Sequence, residues 1–171
     1  YERREKPIPD GLRWSVAHKE TPEVLLSVCR LLASKWPKTD ETRMRQLQSS
    51  CDELPTNVVL IDASGVAVGH AQMCRVMEDA EGILIESVLV ADSLRGLGLG
   101  RQLMQRCFDL GAGKSFKRVY LSTRDKRDFY AALGFEEGKP VTPVSAMSER
   151  MGLEEMSGLK KALGGDGSSI S

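Results

Sequence analysis

The stretch LRGLGLGRQL, residues 94–103, decides how the chain around it folds. Its three glycines, Gly96, Gly98 and Gly100, stand at every second position between two arginines, and apolar residues at helical spacing follow them. Glycines permit a close approach to the backbone, and the first turn of a helix carries unpaired N–H groups that favour an anion. The pattern therefore predicts a phosphate-binding loop that leads directly into a helix.

Two common phosphate loops do not fit this part of the sequence. A dinucleotide fingerprint, GxGxxG, starting at Gly96 would need a glycine where Arg101 stands and an acidic residue about 20 positions further on, where KRVYL is found. The stretch GAGKS, residues 111–115, looks like the end of a Walker A loop. It follows a predicted helix and precedes a strand, which reverses the order in a P-loop, so we interpret it as the glycine-rich end of a helix.

The hydrophobic pattern on either side of the loop predicts strands and helices in succession. The predicted strands are LRWSVAH (12–18), NVVLIDA (57–63), VAVGHAQMCRV (66–76), ILIESVLVA (83–91) and RVYLST (118–123), with VTPVSAMSERM (141–151) as a short last strand. Helices are predicted from Thr21, over 39–50, after the glycine loop, in DKRDFYAALGF (125–135) with Asp125 as N-cap, and in MGLEEMSGLKKAL (151–163). This order indicates an α/β protein whose sheet is flanked by helices.

Length, charge and cysteine spacing limit the classes of function. The 171 residues predict a single domain over 11–163 between flexible tails at 1–10 and 164–171. The chain has 24 basic and 24 acidic side chains, so no overall field favours nucleic acid. No apolar run approaches the ~20 residues of a membrane span. The four cysteines have no metal-ligand spacing, and we expect reduced thiols in a cytoplasmic monomer without a metal.

A third type of phosphate loop fits the opening stretch. Residues 95–100 have the form R/Q-x-x-G-x-G/A and follow the apolar strand ESVLVA. They resemble the acetyl-CoA pyrophosphate loop of the GCN5-related N-acetyltransferase (GNAT) superfamily, and DFYAALGF, residues 128–135, resembles its second marker. The resemblance extends over residues 12–140. It implies the GNAT fold, in which a central mixed, mostly antiparallel sheet of six or seven strands is flanked by helices and splayed between the fourth and fifth strands.

The same resemblance implies that acetyl-CoA is the cosubstrate and assigns roles to individual residues. The residues expected to bind it, through loop amides, two arginines and backbone groups of the preceding strand, are Val88, Leu89, Val90, Arg95, Gly96, Leu97, Gly98, Leu99, Gly100 and Arg101. Tyr130 would protonate the departing CoA thiolate. Glu86, an acid in an apolar strand that we expect to share a face with Val88 and Val90, would accept the proton of the amine through water. His70 is interpreted as a structural histidine rather than a second base.

The first half of the chain resembles a narrower group, the animal enzymes that acetylate the acidic amino terminus of processed actin. The likeness includes LLASKWPKTDETRMRQL, residues 31–47, where a Trp-Pro pair precedes basic residues. It implies direct transfer, in a ternary complex, to the free α-amine of a peptide that begins with Asp or Glu. The residues expected to bind that peptide are Trp36, Lys38, Arg43, Thr123 and Arg124.

Two other functions are left open by the sequence. One is the acetylation of lysine side chains or small amines by the same fold, and the other is a non-catalytic module that binds acyl-CoA. The predicted last strand, VTPVSAMSERM, departs from the superfamily pattern because it is short and has no aromatic residue.

Overall fold

The computed structural model describes residues 8–144 and 157–163. The helices are α1 (Pro22–Ala33), α2 (Asp40–Gln48), α3 (Leu99–Gly113) and α4 (Arg127–Ala132), and short 3-10 helices cover Ala17–Lys19 and Asp92–Leu94. The strands are β1 (Arg13–Val16), β2 (Thr56–Ile61), β3 (Ala67–Arg75), β4 (Gly82–Val90), β5 (Arg118–Thr123), β6 (Glu136–Gly138) and β7 (Ser157–Ala162). Within these ranges, none of the helices combines the length and the apolar composition needed to cross a bilayer.

The strands form one sheet in the order β1-β2-β3-β4-β5-β7-β6. The pairs β1–β2, β5–β7 and β6–β7 are antiparallel, whereas β4 and β5 are parallel. The predicted mixed, mostly antiparallel sheet with flanking helices is therefore confirmed. The parallel ladder joins Gly82–Leu84 to Arg118–Tyr120, and both strands continue past it.

The described residues divide into two compact units. The first unit contains Tyr1–Gln72 and Ser87–Arg106, and the second contains Met73–Glu86 and Cys107–Ser171. The glycine loop belongs to the first unit and helix α4 to the second. The four cysteines are free thiols, and all but the half-buried Cys51 are buried.

Helix α1 builds the core of the first unit. Thr21 caps it, since its Oγ1 accepts the N–H of Val24 at 3.4 Å. The side chains buried on its inner face have the predicted helical spacing and are Val24, Leu25, Val28, Cys29 and Leu32. They pack in one cluster with Val59 and Ile61 of β2 and with Leu47 of α2. This packing fixes the two ends of the loop between α1 and α2.

The predicted helix in MGLEEMSGLKKAL is wrong where the structure describes it. Ser157–Ala162 is strand β7, which is hydrogen-bonded to β5 along one edge and to β6 along the other. Pairing on both sides overrides the local helical spacing of the leucines. The predicted strand VTPVSAMSERM is described only over 141–144, where Pro143 forms an isolated bridge to Val76, and its remainder lies outside the described residues.

A carboxylate in the turn between β3 and β4 braces the parallel strand pair in the second unit. Asp79 accepts hydrogen bonds from Arg118 Nε at 2.5 Å, from Arg118 Nη2 at 2.9 Å and from the Tyr120 hydroxyl at 2.8 Å. The bonds from Arg118 hold the pKa of Asp79 well below its ordinary value. Gly82 passes beneath this group, where a Cβ would lie only 2.6 Å from the Tyr120 ring, so glycine is needed there.

We expect Asp79→Asn to lower the free energy of unfolding by about 2–3 kcal/mol, because it removes charge-assisted bonds and leaves Arg118 only its longer ion pair with Glu81 at 3.6 Å. Tyr120→Phe is the matched control. It removes one hydrogen bond, keeps the ion pair, and should lower the free energy by about 1 kcal/mol. Urea unfolding of both variants at pH 7 measures the difference.

The pH dependence gives a second readout of the same group. Asp79 has a lower pKa in the folded state than in the unfolded state, so its contribution to stability is present at neutral pH and is lost as the pH falls below about 4. Asp79→Asn should therefore lose less stability on acidification than the wild type. If Asp79→Asn and Tyr120→Phe lowered the free energy of unfolding equally at pH 7, the bracing role of Asp79 would be contradicted.

Candidate active site

The glycine loop before α3 adopts a backbone that favours glycine. Gly96 and Gly98 have φ angles of 83° and 76°, in the left-handed region that side chains disfavour. A Cβ at either position would meet no other atom within 4 Å. The glycines are therefore required by the conformation of the loop and not by crowding within the chain. The space beside them is open to a ligand.

The start of α3 adds main-chain donors next to this loop. The first described intrahelical bond runs from Gln102 N–H to the Gly98 carbonyl at 3.1 Å. The amides of Leu99, Gly100 and Arg101 precede it and have no acceptor within the helix. The Leu99 side chain, buried in a cluster with Leu60 and Val68, anchors this end of the helix. The loop and the helix start are thus suited to an anion such as a pyrophosphate.

The two predicted arginines of the loop are at the surface. The Arg95 side chain is 62% exposed and forms an ion pair with Asp92 at 2.9 Å, and Asp92 is itself 88% exposed. Exposed ion pairs contribute about 0–1 kcal/mol, so a bound phosphate could replace Asp92 at little cost. Arg101 is also exposed. The residues of this region therefore fit a phosphate-bearing cosubstrate.

Strand β4 changes its backbone conformation at Ser87, which has a φ of 52°. The alternation of side chains in a regular strand is therefore interrupted at Ser87, and it does not carry the predicted shared face from Glu86 to Val88 and Val90. The Leu89 side chain belongs to the core of the first unit, and Val90 packs against the cluster that contains Leu99. Any contact of Leu89 and Val90 with a cofactor would therefore come mainly from their backbone.

Glu86 lies in the second unit and is half-buried. Its charge, after burial itself, raises the pKa of the Cys74 thiol, so the carboxylate acts on the interior of that unit. Glu86 thus keeps an acidic group in an otherwise apolar strand, as the sequence indicates.

His70 is fully enclosed in the first unit and both of its ring nitrogens have partners. Nδ1 lies 2.8 Å from the Ser87 carbonyl oxygen, and Nε2 lies 2.8 Å from the side-chain amide of Asn57. Burial, with a smaller effect from the charge of Arg43, lowers the pKa of His70 to about 4. The imidazole is therefore neutral at physiological pH, and the prediction of a structural histidine is confirmed.

Tyr130 lies in the second unit on helix α4, and the end of that helix orients it. The Phe135 N–H bonds to the Tyr130 carbonyl at 3.1 Å, and the Gly134 N–H bonds to the Ala131 carbonyl at 3.0 Å, which is a Schellman motif. Gly134 has a φ of 92°, as the left-handed position of this motif requires. The ring of Phe135 then meets the Tyr130 ring edge to face at 5.8 Å, and Phe129 does so at 5.1 Å. The segment Leu133-Gly134-Phe135 thus ends the helix so that the Phe135 ring packs against the Tyr130 ring.

The hydroxyl of Tyr130 is a weak acid in this environment. The side chain is buried, and burial, followed by the charges of Asp125 and Cys107, raises the pKa of Tyr130 to about 12. The group therefore keeps its proton over the whole physiological range and can donate it to a base that forms beside it.

The start of α4 differs from the sequence prediction. The helix begins at Arg127, and Lys126, not Asp125, is its N-cap, without a side-chain cap. The turn is instead closed by Thr123, a predicted substrate residue, whose Oγ1 accepts the Lys126 N–H at 3.1 Å. The next residue, Arg124, is also a predicted substrate residue and is exposed.

The remaining predicted substrate residues surround the loop between α1 and α2 in the first unit. Trp36 is half-buried against the core, with Lys35 Nζ at 4.9 Å from its ring centre, and Lys38 is exposed. Arg43, in contrast, is only 5% exposed, and its Nη2 donates to the Trp36 carbonyl at 2.5 Å. Arg43 therefore ties α2 to the loop, with little of its guanidinium available to a peptide.

The two units supply different chemistry. The first holds the glycine loop, Val88–Val90 and the Trp36 loop, and the second holds Glu86, Thr123, Arg124 and Tyr130. Sequence reasoning missed Asn57 and Ser87, the partners of His70, because nothing in their local pattern marks them. In residues 8–144 and 157–163, no group of three or more His, Cys, Asp or Glu side chains is arranged to hold a metal ion. The groups present suit anion binding and proton transfer.

Comparison with known proteins agrees with this geometry. N-alpha-acetyltransferase 80 of Mus musculus is 34% identical over 136 residues, which are 76% of this chain and 43% of the mouse protein. The chain thus spans less than half the length of that relative.

Solved structures share the fold at low sequence identity. A GNAT-family acetyltransferase from Staphylococcus aureus superposes with a TM-score of 0.69 at 16% identity, over 90% of this chain and 99% of that one. The GNAT family N-acetyltransferase YhbS from Escherichia coli, in complex with CoA, gives a TM-score of 0.65 at 18% identity, over 94% and 86% of the two chains. The family model described as "Acetyltransferase (GNAT) family" matches residues 25–135, and the chain therefore belongs to this family.

Proposed function

We propose that this acetyltransferase moves the acetyl group of acetyl-CoA to the free α-amine of peptides with acidic N-termini, with processed actin as its protein substrate. The observation that carries the proposal is the 34% identity to mouse N-alpha-acetyltransferase 80 across 76% of the chain. The glycine loop alone would not carry it, because a superfamily fold hosts many acceptors. The acceptor is therefore the part of the proposal that most needs experiment.

The residues before and at the start of α3 would hold acetyl-CoA. The amides of Leu99, Gly100 and Arg101, with the side chains of Arg95 and Arg101, suit the pyrophosphate, and the backbone of Val88–Val90 suits the thioester. The open space beside Gly96 and Gly98 supports this assignment. The cosubstrate supplies the activated acetyl group.

The transfer needs two proton movements. The amine nitrogen attacks the carbonyl carbon, so a C–N bond forms, and the C–S bond then breaks to release the CoA thiolate. Tyr130 donates its proton to the thiolate, and Glu86 accepts the proton that leaves the amine, through water. The demand on Glu86 is small, because an α-amine has a pKa of about 7.7–8.0 and is partly neutral at physiological pH.

Recognition of the leading carboxylates would rest on exposed basic groups. Lys38 lies on the surface of the Trp36 loop and Arg124 is exposed after β5. Arg43 supports this recognition indirectly, since its bond to the Trp36 carbonyl holds the loop in place. Charge-assisted contacts to such groups contribute about 1.5–3 kcal/mol each when partly desolvated.

The cosubstrate assignment predicts that Gly98→Val weakens acetyl-CoA binding by more than about tenfold, measured by calorimetry, because the side chain disturbs the left-handed turn and fills the phosphate site. Gly65→Val is a matched control. Gly65 has a φ of 83°, close to the 76° of Gly98, and a Cβ there would meet nothing within 4 Å. It lies in the same unit, so Gly65→Val introduces a similar strain away from the site. Equal affinity of the two variants for acetyl-CoA would remove the loop assignment.

The acid role predicts that Tyr130→Phe lowers kcat by about 100-fold and leaves acetyl-CoA affinity nearly unchanged, because the ring contacts persist and only the proton is lost. Tyr120→Phe, which also loses a hydroxyl in the second unit, should keep wild-type kcat. Since Tyr130 has a pKa of about 12, its deprotonation should cause no fall in wild-type kcat between pH 8 and pH 10. Full turnover by Tyr130→Phe would exclude the role.

The acceptor assignment predicts that wild-type enzyme uses peptides beginning Asp-Asp or Glu-Glu far better than neutral peptides, and that salt reduces the preference, since exposed charges are screened over ~8–10 Å. Lys38→Glu should raise KM for acidic peptides and leave acetyl-CoA binding intact. Arg45→Glu makes the same change in net charge at an exposed position of α2 and should have little effect.

The alternative acceptors are tested in the same assay. Peptides with a blocked N-terminus and an internal lysine, and small amines, are compared with free acidic N-termini. Turnover of those substrates without a preference for acidic N-termini at low salt would replace the proposed function with acetylation of lysine or small amines.

A further inference from the structure

The inference concerns the enclosed group formed by His70, Asn57 and the backbone of Ser87 in the first unit. The Ser87 carbonyl can only accept, so the neutral imidazole donates its single N–H from Nδ1 to that oxygen at 2.8 Å. Nε2 is then an acceptor. Asn57 Nδ2 is buried and has no hydrogen-bond partner while Oδ1 faces Nε2 at 2.8 Å. A half-turn of the amide brings Nδ2 to Nε2 and satisfies both atoms.

This arrangement holds an unusual point of the main chain. Ser87 is a non-glycine residue with a φ of 52°, a conformation that costs about 1–2 kcal/mol and persists only where neighbours enforce it. The hydrogen bond from His70 holds the Ser87 carbonyl in its orientation, and Asn57 in turn holds the His70 ring. Three consecutive strands, β2, β3 and β4, thus contribute one residue each to a single hydrogen-bonded chain that ends on the Ser87 carbonyl.

The peptide bond carries this constraint to the next residue. The Ser87–Val88 bond is trans, so its carbonyl and its N–H point in opposite directions within one plane. Fixing the Ser87 carbonyl on the imidazole therefore directs the Val88 N–H away from the imidazole. The His70 side chain of β3 thus sets the orientation of the Val88 N–H in β4 without having to contact a substrate.

We propose that His70 is a positioning residue for acetyl transfer, which holds the Ser87 carbonyl so that the Val88 N–H is aimed at the oxygen of the thioester carbonyl. This proposal rests on the proposed function only in taking acetyl-CoA as the cosubstrate. The identity of the acceptor amine does not affect it. When the amine attacks, the carbonyl oxygen gains negative charge, and the preset Val88 N–H stabilises it until the C–S bond breaks. The low pKa of His70 keeps the ring a neutral, single donor throughout the working pH range.

The test compares His70→Leu, His70→Gln and Asn57→Leu with His18→Leu. His18 is the other histidine of the chain, lies in the same unit and is bonded to Ser50 and Asp52, so its removal controls for the loss of a partnered imidazole. Each folded variant, checked by thermal unfolding, receives acetyl-CoA labelled with ¹³C at the carbonyl. The readouts are the infrared stretching frequency of the bound thioester carbonyl, kcat, and KM for an amine that the wild type accepts.

In the wild type the bound carbonyl should absorb at a lower frequency than free acetyl-CoA, because it accepts a hydrogen bond. His70→Leu should return the frequency toward the free value and lower kcat about 10- to 100-fold, with KM for the amine little changed. His70→Gln retains a donor and should recover most of both effects. Asn57→Leu, which removes the side chain that holds the ring at Nε2, should give an intermediate loss, and His18→Leu should match the wild type.

A wild-type frequency in both His70→Leu and Asn57→Leu, with kcat falling only as far as the folded fraction falls, would overturn the proposal. So would a wild-type carbonyl whose frequency does not change on binding. Failure of the proposed acceptor is distinguishable from these results, because the frequency is measured without an amine and kcat is measured with whichever amine the wild type uses. If His70→Leu does not fold, Asn57→Leu decides the question, because a wild-type frequency and kcat in that variant would overturn the proposal.

Discussion

A sheet and its helices consume their own backbone N–H groups, so a ligand can reach main-chain donors only where regular hydrogen bonding is interrupted. The first unit has such interruptions at Ser87 inside β4 and at Gly96 and Gly98 before α3, all with positive φ angles. The start of α3 adds amides that have no partner within the helix. Main-chain donors for the thioester and the phosphates of the proposed acetyl-CoA site are therefore available at these points.

Each interruption is supported by ordinary side chains around it. Leu99, buried beside Leu60 and Val68, anchors the helix that follows the glycines, so the loop can be exposed without moving its base. In the second unit, Lys161 donates to the Leu133 carbonyl at 2.7 Å, beneath the left-handed Gly134 that ends α4. The half-buried Lys161 thus holds a main-chain carbonyl at the end of α4. The irregular segments keep one conformation because their neighbours are rigid.

Most strands and helices could be predicted from the sequence because hydrophobic periodicity and glycine or proline signals are local. Strand β7 could not, since its strand form depends on pairing with β5 and β6, which no local pattern records. The φ angle of Ser87 had no signal either, because serine does not mark a left-handed position. The burial of Arg43, in contrast, did have a signal in the sequence. It lies four residues before the buried Leu47, on the same helical face, and that spacing favours an inward position over a surface one.

Burial also divides the charges between structure and ligand. Arg118 and Arg43 are committed to Asp79 and to the Trp36 carbonyl, and removing either partner would leave a polar group poorly solvated. Arg95 is in the opposite situation, since it and Asp92 are both mostly exposed and their attraction is weak. A weak ion pair is what an anion site beside a helix N-terminus requires. A strongly held arginine would have to break its own bonds before it could bind phosphate, and the free energy of binding would be reduced by that amount.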